Sequence, residues 1–550
     1  MRTILRLHPT DNIIAALRDL PAGTEIPVDG QTVTLLQPIP AKHKFAVADL
    51  HPGDKVTMYG VLVGKASAFI PAGTRITTEN LHHAAGEYSL EDRDPPVWTP
   101  PNTDRFTGRT WMGYARKDGR AGTANIWLVI PLVFCENKNI ELLRRTFDHQ
   151  LGFTSGKEAT LDLAEMVLAY KNGATPEELT NVSVGYADGN TVRNPLFPNV
   201  DAVKYLTHQS GCGNSKSDVQ ALLNLLAGYI THPNVAGATV IGLGCQFAQE
   251  PMLLSAIHHI DPTFDKPLYI SEQQAAGSER DFLSAAARDT FVGLARANRH
   301  ERTEQPISKL TLGLECGGSD GFSGISANPT VGYVSDLLVA LGARTILAEF
   351  PELNGVEQEL VNRCATREKA EKFVGLMRAY AASAAAVGSD FADNPSPGNI
   401  RDGLITDAIK SAGAARKGGT STINDVLDYG EVATVPGLNL LNTPGNDVES
   451  TTALAGSGCN LIVFTTGLGT PTGNPITPVV KLSSNTEMAR RMSDIIDFEC
   501  GSIIRGEDTV QSKGEELLEF LLEVASGTKT AAAVRRGQDD FIPWRRGVSL

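Results

Sequence analysis

The sequence predicts an α/β protein of several domains, with an all-β module at the N-terminus and parallel sheets after it. Up to about residue 90, short runs of alternating apolar and polar residues, such as 31–36 and 55–63, are separated by glycine and proline. From about Ala236 onward, apolar strand-like runs alternate with helical stretches, which is typical of a parallel sheet covered by helices. A chain of 550 residues also exceeds what a single hydrophobic core supports.

These changes of pattern divide the chain into four predicted segments. The all-β module spans residues 1–92, and a linker stiffened by two Pro-Pro pairs spans residues 93–105. A middle α/β domain spans residues 106–235, and a C-terminal domain built on a parallel sheet spans residues 236–550.

Composition and charge exclude several functions. A net charge of -14 argues against nonspecific binding to nucleic acid, which needs a basic surface. The chain contains no run of about twenty apolar residues, so we expect no membrane span. The first nine residues contain too few apolar side chains for a signal peptide. The seven cysteines are widely spread and odd in number, which predicts reduced thiols in a cytoplasmic protein.

Glycine-rich polar loops follow the predicted strands. The apolar run 238–241 leads into Gly242-Leu243-Gly244-Cys245-Gln246, and the run 310–314 leads into Glu315-Cys316-Gly317-Gly318-Ser319-Asp320. A third loop of this kind, at 208–213, contains Cys212. Because ligands bind outside the carboxyl ends of parallel strands, these loops predict one convergent active site, and therefore an enzyme.

The strand-end residues offer candidate metal ligands: Cys212, Cys245, Cys316, Asp320 and Glu349. A cysteine beside glycine either packs near a tight turn or binds a metal, and the spacing here matches no zinc finger or ribbon. Asp320 follows two glycines and suits a hard cation, or it caps a helix or turn. Glu349, with Glu352 close behind, follows another strand and is a ligand or base, or part of a solvated loop.

Two further loops allow more than one interpretation. Lys417, in a Lys-Gly-Gly loop, could hold a substrate carboxylate or act as a base if burial lowers its pKa. Gly242-Leu243-Gly244 resembles part of a dinucleotide-binding turn, but Phe247 stands where a third glycine is needed. A nicotinamide-dependent oxidoreductase is therefore disfavoured.

Longer strings carry a family resemblance. They are Ile39-Pro40-Ala41-Lys42-His43-Lys44, residues 113–120, 208–213, 232–249, the run from Cys316 to Pro329, and residues 394–399, 443–445, 465–467 and 541–544. Through them almost the whole chain resembles the altronate/galactarate dehydratase family, whose members remove water from sugar acids. The Cys316 to Pro329 run is the most specific of these strings.

The resemblance implies an N-terminal SAF-type β-clip, a middle domain used for dimerisation and a C-terminal Rossmann-like domain with a metal site. It also implies a homodimer that acts on a small hydroxy acid and depends on Fe²⁺, with Mn²⁺ or Mg²⁺ as alternatives. A related branch of the family eliminates sulfite from a sulfonated hydroxy acid.

The expected reaction is β-elimination of water from a 2,3-dihydroxy carboxylate, which gives a 2-keto-3-deoxy acid. His208 and Lys417 are the candidate bases for the α-proton, and His43, carried by the β-clip, is the candidate general acid. The matching segments imply substrate contacts from five residues: Asn125, Ser319, Asn328, Asn399 and Thr466.

The chain departs from the family pattern at three places. Arg75-Ile76-Thr77-Thr78-Glu79-Asn80 replaces a segment with three histidines, and Ala124 and Leu468 each replace an arginine. Because arginine is favoured for binding carboxylates, we expect a smaller or less anionic substrate than a long dicarboxylic sugar acid. A sulfo-lyase and a non-catalytic sugar-acid binding protein remain alternatives. The replaced histidines favour the binding protein, and the intact Cys316 loop opposes it.

Overall fold

The computed structural model describes residues 2–152, 160–187 and 195–550. Its strands are β1 (Ile4–Leu5), β2 (Ile13–Ala16), β3 (Glu25–Val28), β4 (Gln31–Thr34), β5 (Lys44–Ala46), β6 (Lys55–Met58), β7 (Val61–Ala66), β8 (Leu81–His82), β9 (Thr110–Ala115), β10 (Ala121–Gly122), β11 (Ile126–Pro131), β12 (Thr160–Asp162), β13 (Gly185–Ala187), β14 (Ala202–Tyr205), β15 (Val235–Gly242), β16 (Leu268–Glu272), β17 (Thr303–Pro306), β18 (Thr311–Cys316), β19 (Arg344–Leu347), β20 (Ile423–Leu427), β21 (Gly437–Leu441), β22 (Leu461–Thr466), β23 (Val479–Ser483) and β24 (Phe498–Glu499).

The helices are α1 (Asn137–Leu151), α2 (Ala164–Lys171), α3 (Pro176–Leu179), α4 (Lys216–Thr231), α5 (Glu250–Ile260), α6 (Gln273–Ala276), α7 (Glu279–Ala297), α8 (Ala327–Ala340), α9 (Glu357–Arg363), α10 (Arg367–Ala385), α11 (Pro397–Arg401), α12 (Asp407–Ala414), α13 (Asp447–Gly456), α14 (Thr486–Arg491), α15 (Gly501–Arg505), α16 (Val510–Ala525) and α17 (Ala532–Arg535). Among the described residues, no helix is both long and apolar enough to cross a membrane.

The N-terminal module is made of short antiparallel strands, as the sequence predicted. They form three small sheets, ordered β1-β2-β5, β3-β4 and β6-β7-β8. Alternation of apolar and polar residues buries one face of these strands: Val33 in β4 lies between the exposed Thr32 and Thr34, and Val56 in β6 follows the exposed Lys55.

The middle sheet is parallel and has the order β14-β11-β15-β16. Every residue of β11 and β15 is buried, which explains their continuous apolar sequences. The predicted boundary between residues 235 and 236 falls inside this sheet, because β15 pairs with β11 from Val235 to Ile241. The two parallel sheets instead divide between β16 and β18. The sequence could not predict this pairing, because an apolar run indicates a buried strand but not the strand with which it pairs.

The C-terminal sheet has seven parallel strands in the order β20-β21-β19-β18-β22-β23-β24. Its central strands β18 and β22 are buried throughout, and helices such as α8 and α13 pack against them. The mixed α/β class and the C-terminal parallel sheet are therefore confirmed. All seven strands end at one edge, and the loops that leave this edge carry the candidate site.

The β-clip module packs directly on the C-terminal domain. The Lys44 ammonium donates to the Gly403 carbonyl over 2.7 Å, and the Thr406 hydroxyl donates to the Val63 carbonyl over 2.8 Å. A Cβ at Gly321 would lie 2.4 Å from the Lys42 carbonyl oxygen, so this contact requires glycine. The loop that precedes β5 therefore lies against the loop that follows β18.

Candidate active site

Three potential metal ligands meet at the carboxyl edge of the C-terminal sheet. Cys316 ends β18, and Glu349 and Glu352 follow β19. Their ligand atoms all lie within 4.8 Å of one another, and all three residues are buried. Within the described part of the chain, this is the one group of three His, Cys, Asp or Glu residues with such spacing. Cys316 and Glu349 were both predicted as ligands.

The backbone of Glu349 is held in an unusual conformation. Its φ of 65° lies in the left-handed region, which a residue other than glycine rarely adopts. Its amide donates to the Thr443 hydroxyl over 2.8 Å, and its Oε2 accepts from the Cys316 amide over 3.1 Å. The other carboxylate oxygen, Oε1, is buried and has no hydrogen-bond partner in the part of the chain that the structure describes. This geometry leaves one oxygen available for a cation.

Two lysines surround these ligands. The Nζ of Lys417 lies 2.5 Å from Glu349 Oε2 and 2.7 Å from Cys316 Sγ. The Nζ of Lys410 lies 2.5 Å from Glu352 Oε1 and donates to Asn394 Oδ1 over 3.0 Å. The short 3-10 helix Ala415–Gly418 after α12 positions Lys417, and α12 itself carries Lys410. Each buried carboxylate therefore has a cationic partner.

The surrounding charges decide the protonation of this cluster. Burial lowers the pKa of Lys417, but the neighbouring Cys316 and Glu349 offset the effect of burial and hold this pKa well above its usual value. Burial raises the pKa of the Cys316 thiol, and Glu349 raises it further. Burial also opposes ionisation of Glu352, yet Lys410 lowers the pKa of that carboxyl. Lys417 is thus held as an ammonium, whereas its predicted role as a base required a lowered pKa.

Asp320, also predicted as a ligand, lies outside this group and joins the β-clip to the sheet. It is fully buried, and its Oδ1 accepts from the Ser323 and Ser484 hydroxyls over 3.0 and 2.8 Å. Its Oδ2 accepts from Asn485 Nδ2 over 3.1 Å and lies 3.0 Å from the Nζ of Lys42. Both carboxylate oxygens are therefore already paired with donors of the chain.

Three of the predicted substrate contacts lie beside this loop. The Asn399 amide donates to the Ser319 carbonyl over 2.7 Å, and the Thr466 hydroxyl accepts from the Gly469 amide over 2.9 Å. Asn328 lies deeper, on α8, where its side chain donates to the Gly413 carbonyl over 2.9 Å. Ser319, Asn399 and Thr466 thus line the same edge as Cys316. Asn328 lies beneath this edge and accepts a hydrogen bond from the Thr465 hydroxyl at the end of β22.

Asn125 lies at the edge of the middle sheet where the strands begin, not at an edge where strands end. It immediately precedes β11 and is buried, and its side-chain amide donates to the Asn199 and Ala297 carbonyls over 2.7 and 3.0 Å. The neighbouring Thr123 hydroxyl donates over 2.7 Å to the carbonyl of Asn460, just before β22. Asn125 is therefore at the amino ends of the strands, two residues from the contact that Thr123 makes between the two sheets.

The two positions that replace family arginines are likewise separated. Leu468 follows β22, and its amide donates to the Gly318 carbonyl over 2.9 Å, beside the Cys316 loop. Ala124 lies next to Asn125 at the amino end of β11 and is buried. Of the two replacements, Leu468 alone lies close to the cluster of candidate ligands.

His208, Cys212 and Cys245 belong to the middle sheet, apart from Cys316. His208 is 4% exposed; its Nε2 donates to the Pro131 carbonyl over 2.8 Å, and its Nδ1 accepts from the Ser210 amide over 3.2 Å. Burial lowers the pKa of His208 to about 4. Both ring nitrogens are thus used by the backbone. The structure divides the predicted cysteine ligands between two sheets, because β14 and β15 pair with β11 and not with β18.

His43 lies where the β-clip meets the C-terminal domain. Its Nε2 lies 3.2 Å from the Arg401 carbonyl oxygen, and its Nδ1 is buried without a hydrogen-bond partner among residues 2–152, 160–187 and 195–550. Burial and the nearby Lys44 lower the pKa of His43. A neutral imidazole with a free nitrogen therefore lies one residue from Lys42, which contacts Asp320.

Sequence reasoning missed Lys410 and Asp447. Lys410 stands in the apolar helical stretch Ala408–Ala412, and a lone buried lysine there is a signal that could have been read. Asp447 begins α13, and a Cβ at Gly317 would lie 2.1 Å from its Oδ2. Burial raises the pKa of Asp447 to about 7. Its sequence context alone indicates an ordinary residue of a first helical turn.

The chain matches three family models that together span most of its length. Residues 2–84 match the Altronate/galactarate dehydratase SAF domain, and residues 113–298 match the D-galactarate dehydratase/Altronate hydrolase second domain. Residues 307–549 match the D-galactarate/Altronate dehydratase C-terminal domain. These matches confirm the resemblance found in the sequence.

Curated relatives are similar over nearly the whole chain. The chain is 34% identical to an altronate dehydratase of Escherichia coli, over 99% of both chains. It is 32% identical to an altronate dehydratase of Bacillus subtilis, over 100% of both. A galactarate dehydratase (L-threo-forming) of Escherichia coli is 31% identical over 96% of this chain and 93% of its own length.

Proposed function

Since the chain belongs to the altronate/galactarate dehydratase family, we propose that it is a metal-dependent dehydratase. Its substrate is a hydroxy acid or sugar acid, and its product a 2-keto-3-deoxy acid. The observation that carries this proposal is the buried group of Cys316, Glu349 and Glu352, with two ammonium groups beside it, at the carboxyl edge of the C-terminal sheet. Parallel sheets bind their ligands at that edge.

The residues present fit a divalent metal. One thiol and two carboxylates offer three ligand atoms, and the unpartnered Oε1 of Glu349 is a buried acceptor that a cation would satisfy. A mixed thiolate and carboxylate set is compatible with Fe²⁺, which we propose as the cofactor. Bound there, the metal would act as a Lewis acid towards the substrate carboxylate and the charge that develops when the α-proton leaves.

The ammonium groups of Lys417 and Lys410 would stabilise the negative charge that develops on the substrate beside the same three ligands. As ammonium groups they stabilise an enolate oxygen, and their pairing with Glu349 and Glu352 holds them in fixed positions. Burial strengthens this effect, because electrostatic interactions are stronger where water is excluded. The lysines thus bind and orient charge, and neither is needed as the base.

We assign proton transfer to His43. Its lowered pKa keeps the imidazole neutral near pH 7, and its Nδ1 is free to accept a proton. The role differs from that of a general acid, which would need a raised pKa. Because the β-clip supplies this residue, substrate would bind between the clip and the C-terminal sheet.

A metal-reconstituted activity screen tests the proposal. Purified protein loaded anaerobically with Fe²⁺ is assayed against a panel of sugar acids and shorter hydroxy acids, with 2-keto acid formation as the readout. Sulfonated hydroxy acids are included, with released sulfite measured. The Cys316→Ser variant should be inactive, whereas Cys364→Ser, whose thiol is buried elsewhere, should retain activity. Absence of 2-keto acid from every substrate would favour a sugar-acid binding protein.

We further propose that the enzyme is a homodimer in the cytoplasm. The resemblance of the middle domain supports the dimer, and the seven unpaired thiols agree with a reducing compartment. Light scattering of the purified chain measures the oligomeric state.

A further inference from the structure

A second group of thiols lies at the carboxyl edge of the middle sheet. Cys135 follows β11, Cys212 follows β14 and Cys245 follows β15, and these three strands are neighbours in the sheet. Pro131 of β11 pairs with Ile241 of β15, and Cys135 and Cys245 each come four residues after that pair. Because parallel neighbours run side by side, the three cysteines leave the sheet at the same edge.

The three loops that carry these thiols are hydrogen-bonded to one another. The Ser210 carbonyl, in the Cys212 loop, accepts from the Phe134 amide over 3.1 Å. The Gly211 carbonyl accepts from the amides of Phe247 and Ala248, just after Cys245, over 3.0 Å each. The loops are thus one unit, with the Cys212 loop in the centre and the other two attached to it.

The exposure of these thiols distinguishes them from the other cysteines. Four cysteines are buried, namely Cys316, Cys364, Cys459 and Cys500. By contrast, Cys135 and Cys245 are exposed and Cys212 is half-buried. Free cysteine is normally one of the most buried residue types, and it then serves as a small apolar side chain. Three accessible thiols gathered at one sheet edge do not serve packing.

The surroundings suit thiolate ligands. A Cβ at Gly211 would lie 2.1 Å from the Leu132 carbonyl oxygen, so the Cys212 loop approaches β11 as closely as glycine allows. The Gln274 amide donates to Cys245 Sγ over 3.3 Å, and such donors stabilise thiolates. Glu136, next to Cys135 in the sequence, is fully buried, and its Oε1 has no hydrogen-bond partner among the described residues.

We propose that Cys135, Cys212 and Cys245 bind an iron–sulfur cluster. The cluster is of the [4Fe–4S] type: each thiolate would bind one of three irons, and the fourth iron would take a ligand other than cysteine. Thiolates select zinc, copper(I) or iron–sulfur clusters. A single metal ion needs its ligand atoms close together. Among the described residues, the group of three ligand atoms within 4.8 Å of one another is Cys316, Glu349 and Glu352, and it does not include these thiols. A cluster accepts wider spacing, because its thiolates lie on separate irons.

The test counts inorganic sulfide in the full-length protein. The chain is produced anaerobically and reconstituted with iron and sulfide, and acid-labile sulfide, iron and zinc are measured per chain. We expect about four labile sulfides per chain in the wild type, visible charge-transfer absorption and an EPR signal after reduction. The single variants Cys135→Ser, Cys212→Ser and Cys245→Ser should each lower the sulfide severalfold, and the triple variant should contain almost none.

Two control variants separate this cluster from the proposed active site. Cys316→Ser removes the ligand of the other sheet, and Cys459→Ala removes a buried thiol; both should keep the wild-type sulfide content. Wild-type protein without labile sulfide would overturn the proposal, as would a triple variant that keeps it. One zinc per chain without sulfide would also overturn it, and would show a single-ion site instead. These outcomes do not depend on whether the chain is a dehydratase.

Discussion

The ammonium of Lys417 lies 2.5 Å from a carboxylate oxygen of Glu349, and the side chains of both residues are 1% exposed. A buried pair of this kind contributes modest net stability, but removal of one partner leaves the other charge buried and unpaired. The same oxygen accepts from the Cys316 amide, so the pair also fixes the end of β18.

Lys417→Met should therefore abolish activity and lower the free energy of unfolding by about 3–5 kcal/mol. The double variant Glu349→Gln/Lys417→Met removes both charges and should recover part of the lost stability while staying inactive. Thermal midpoints and 2-keto acid formation measure the two effects. Equal midpoints for the single and double variants would show that the unpaired charge is not the cause.

Metal removal should abolish activity reversibly. Chelator-treated protein is expected to produce no 2-keto acid, and Fe²⁺ should restore turnover, because the three clustered ligands offer one cation site. Glu352→Gln removes a direct ligand and should weaken Fe²⁺ binding by at least about 10- to 100-fold, the loss that follows when only a residue orienting a ligand is changed. Full turnover by protein shown to be free of metal would contradict this prediction.

Substitution of Asp320 is expected to lower the free energy of unfolding and to leave the iron content unchanged. Asp320→Ala leaves the donors on Ser323, Ser484 and Asn485 without their acceptor, which should cost at least about 2 kcal/mol. Lys42→Ala should cost about 1 kcal/mol or less, since Lys42 is partly exposed and the other donors to Asp320 remain. The isosteric Asp320→Asn variant should keep its iron. Loss of iron from that variant at unchanged thermal midpoint would show that Asp320 is a ligand.

The sequence predicted the carboxyl-edge site through a local pattern and a topological rule. Cys316 and Glu349 each follow an apolar run, and adjacent parallel strands bring such residues together. The same rule could not assign Cys212 and Cys245, because the choice of sheet depends on which strands pair. Lys410 was missed for a related reason: a helix contributes it from a distance in sequence. Only the packing of α12 against the 3-10 helix Phe350–Leu353, which follows β19, brings it to Glu352.

Stability should fall in acid as His208 becomes protonated. Burial lowers the pKa of this imidazole from 6.5 to about 4 in the folded chain. As the pH is lowered, the unfolded chain therefore binds this proton at a higher pH than the folded chain does. The contribution of His208 to the free energy of unfolding is complete above pH 6.5 and is lost between pH 6.5 and 4. One such shift is worth on the order of 3 kcal/mol. His232, also buried, titrates in the same direction.

The His208→Gln variant isolates this contribution. It should be less stable than the wild type at pH 8, where the native hydrogen bonds to Pro131 and Ser210 are intact. Its thermal midpoint should nevertheless fall less between pH 7 and pH 5. Identical pH dependence in the two proteins would show that His208 is not responsible for the acid sensitivity.

Substrate preference should depend on Leu468 and not on Ala124. Leu468 lies beside Gly318, at the edge that carries the candidate ligands, whereas Ala124 is buried at the amino end of β11. Without an arginine at position 468, the enzyme lacks one charge-assisted contact for a second carboxylate. Such a hydrogen bond is worth on the order of 1.5–3 kcal/mol, or roughly 10- to 150-fold in affinity.

We therefore expect a higher kcat/KM for monocarboxylic acids than for a dicarboxylic acid of matched stereochemistry. Leu468→Arg should shift the ratio towards the diacid by roughly 10- to 150-fold, because the guanidinium can bind the second carboxylate in bidentate fashion. Ala124→Arg is the matched control: it places the same charge in a buried junction, so it should lower stability and leave the ratio unchanged. A strong preference of the native enzyme for the diacid would show that this substrate prediction is wrong.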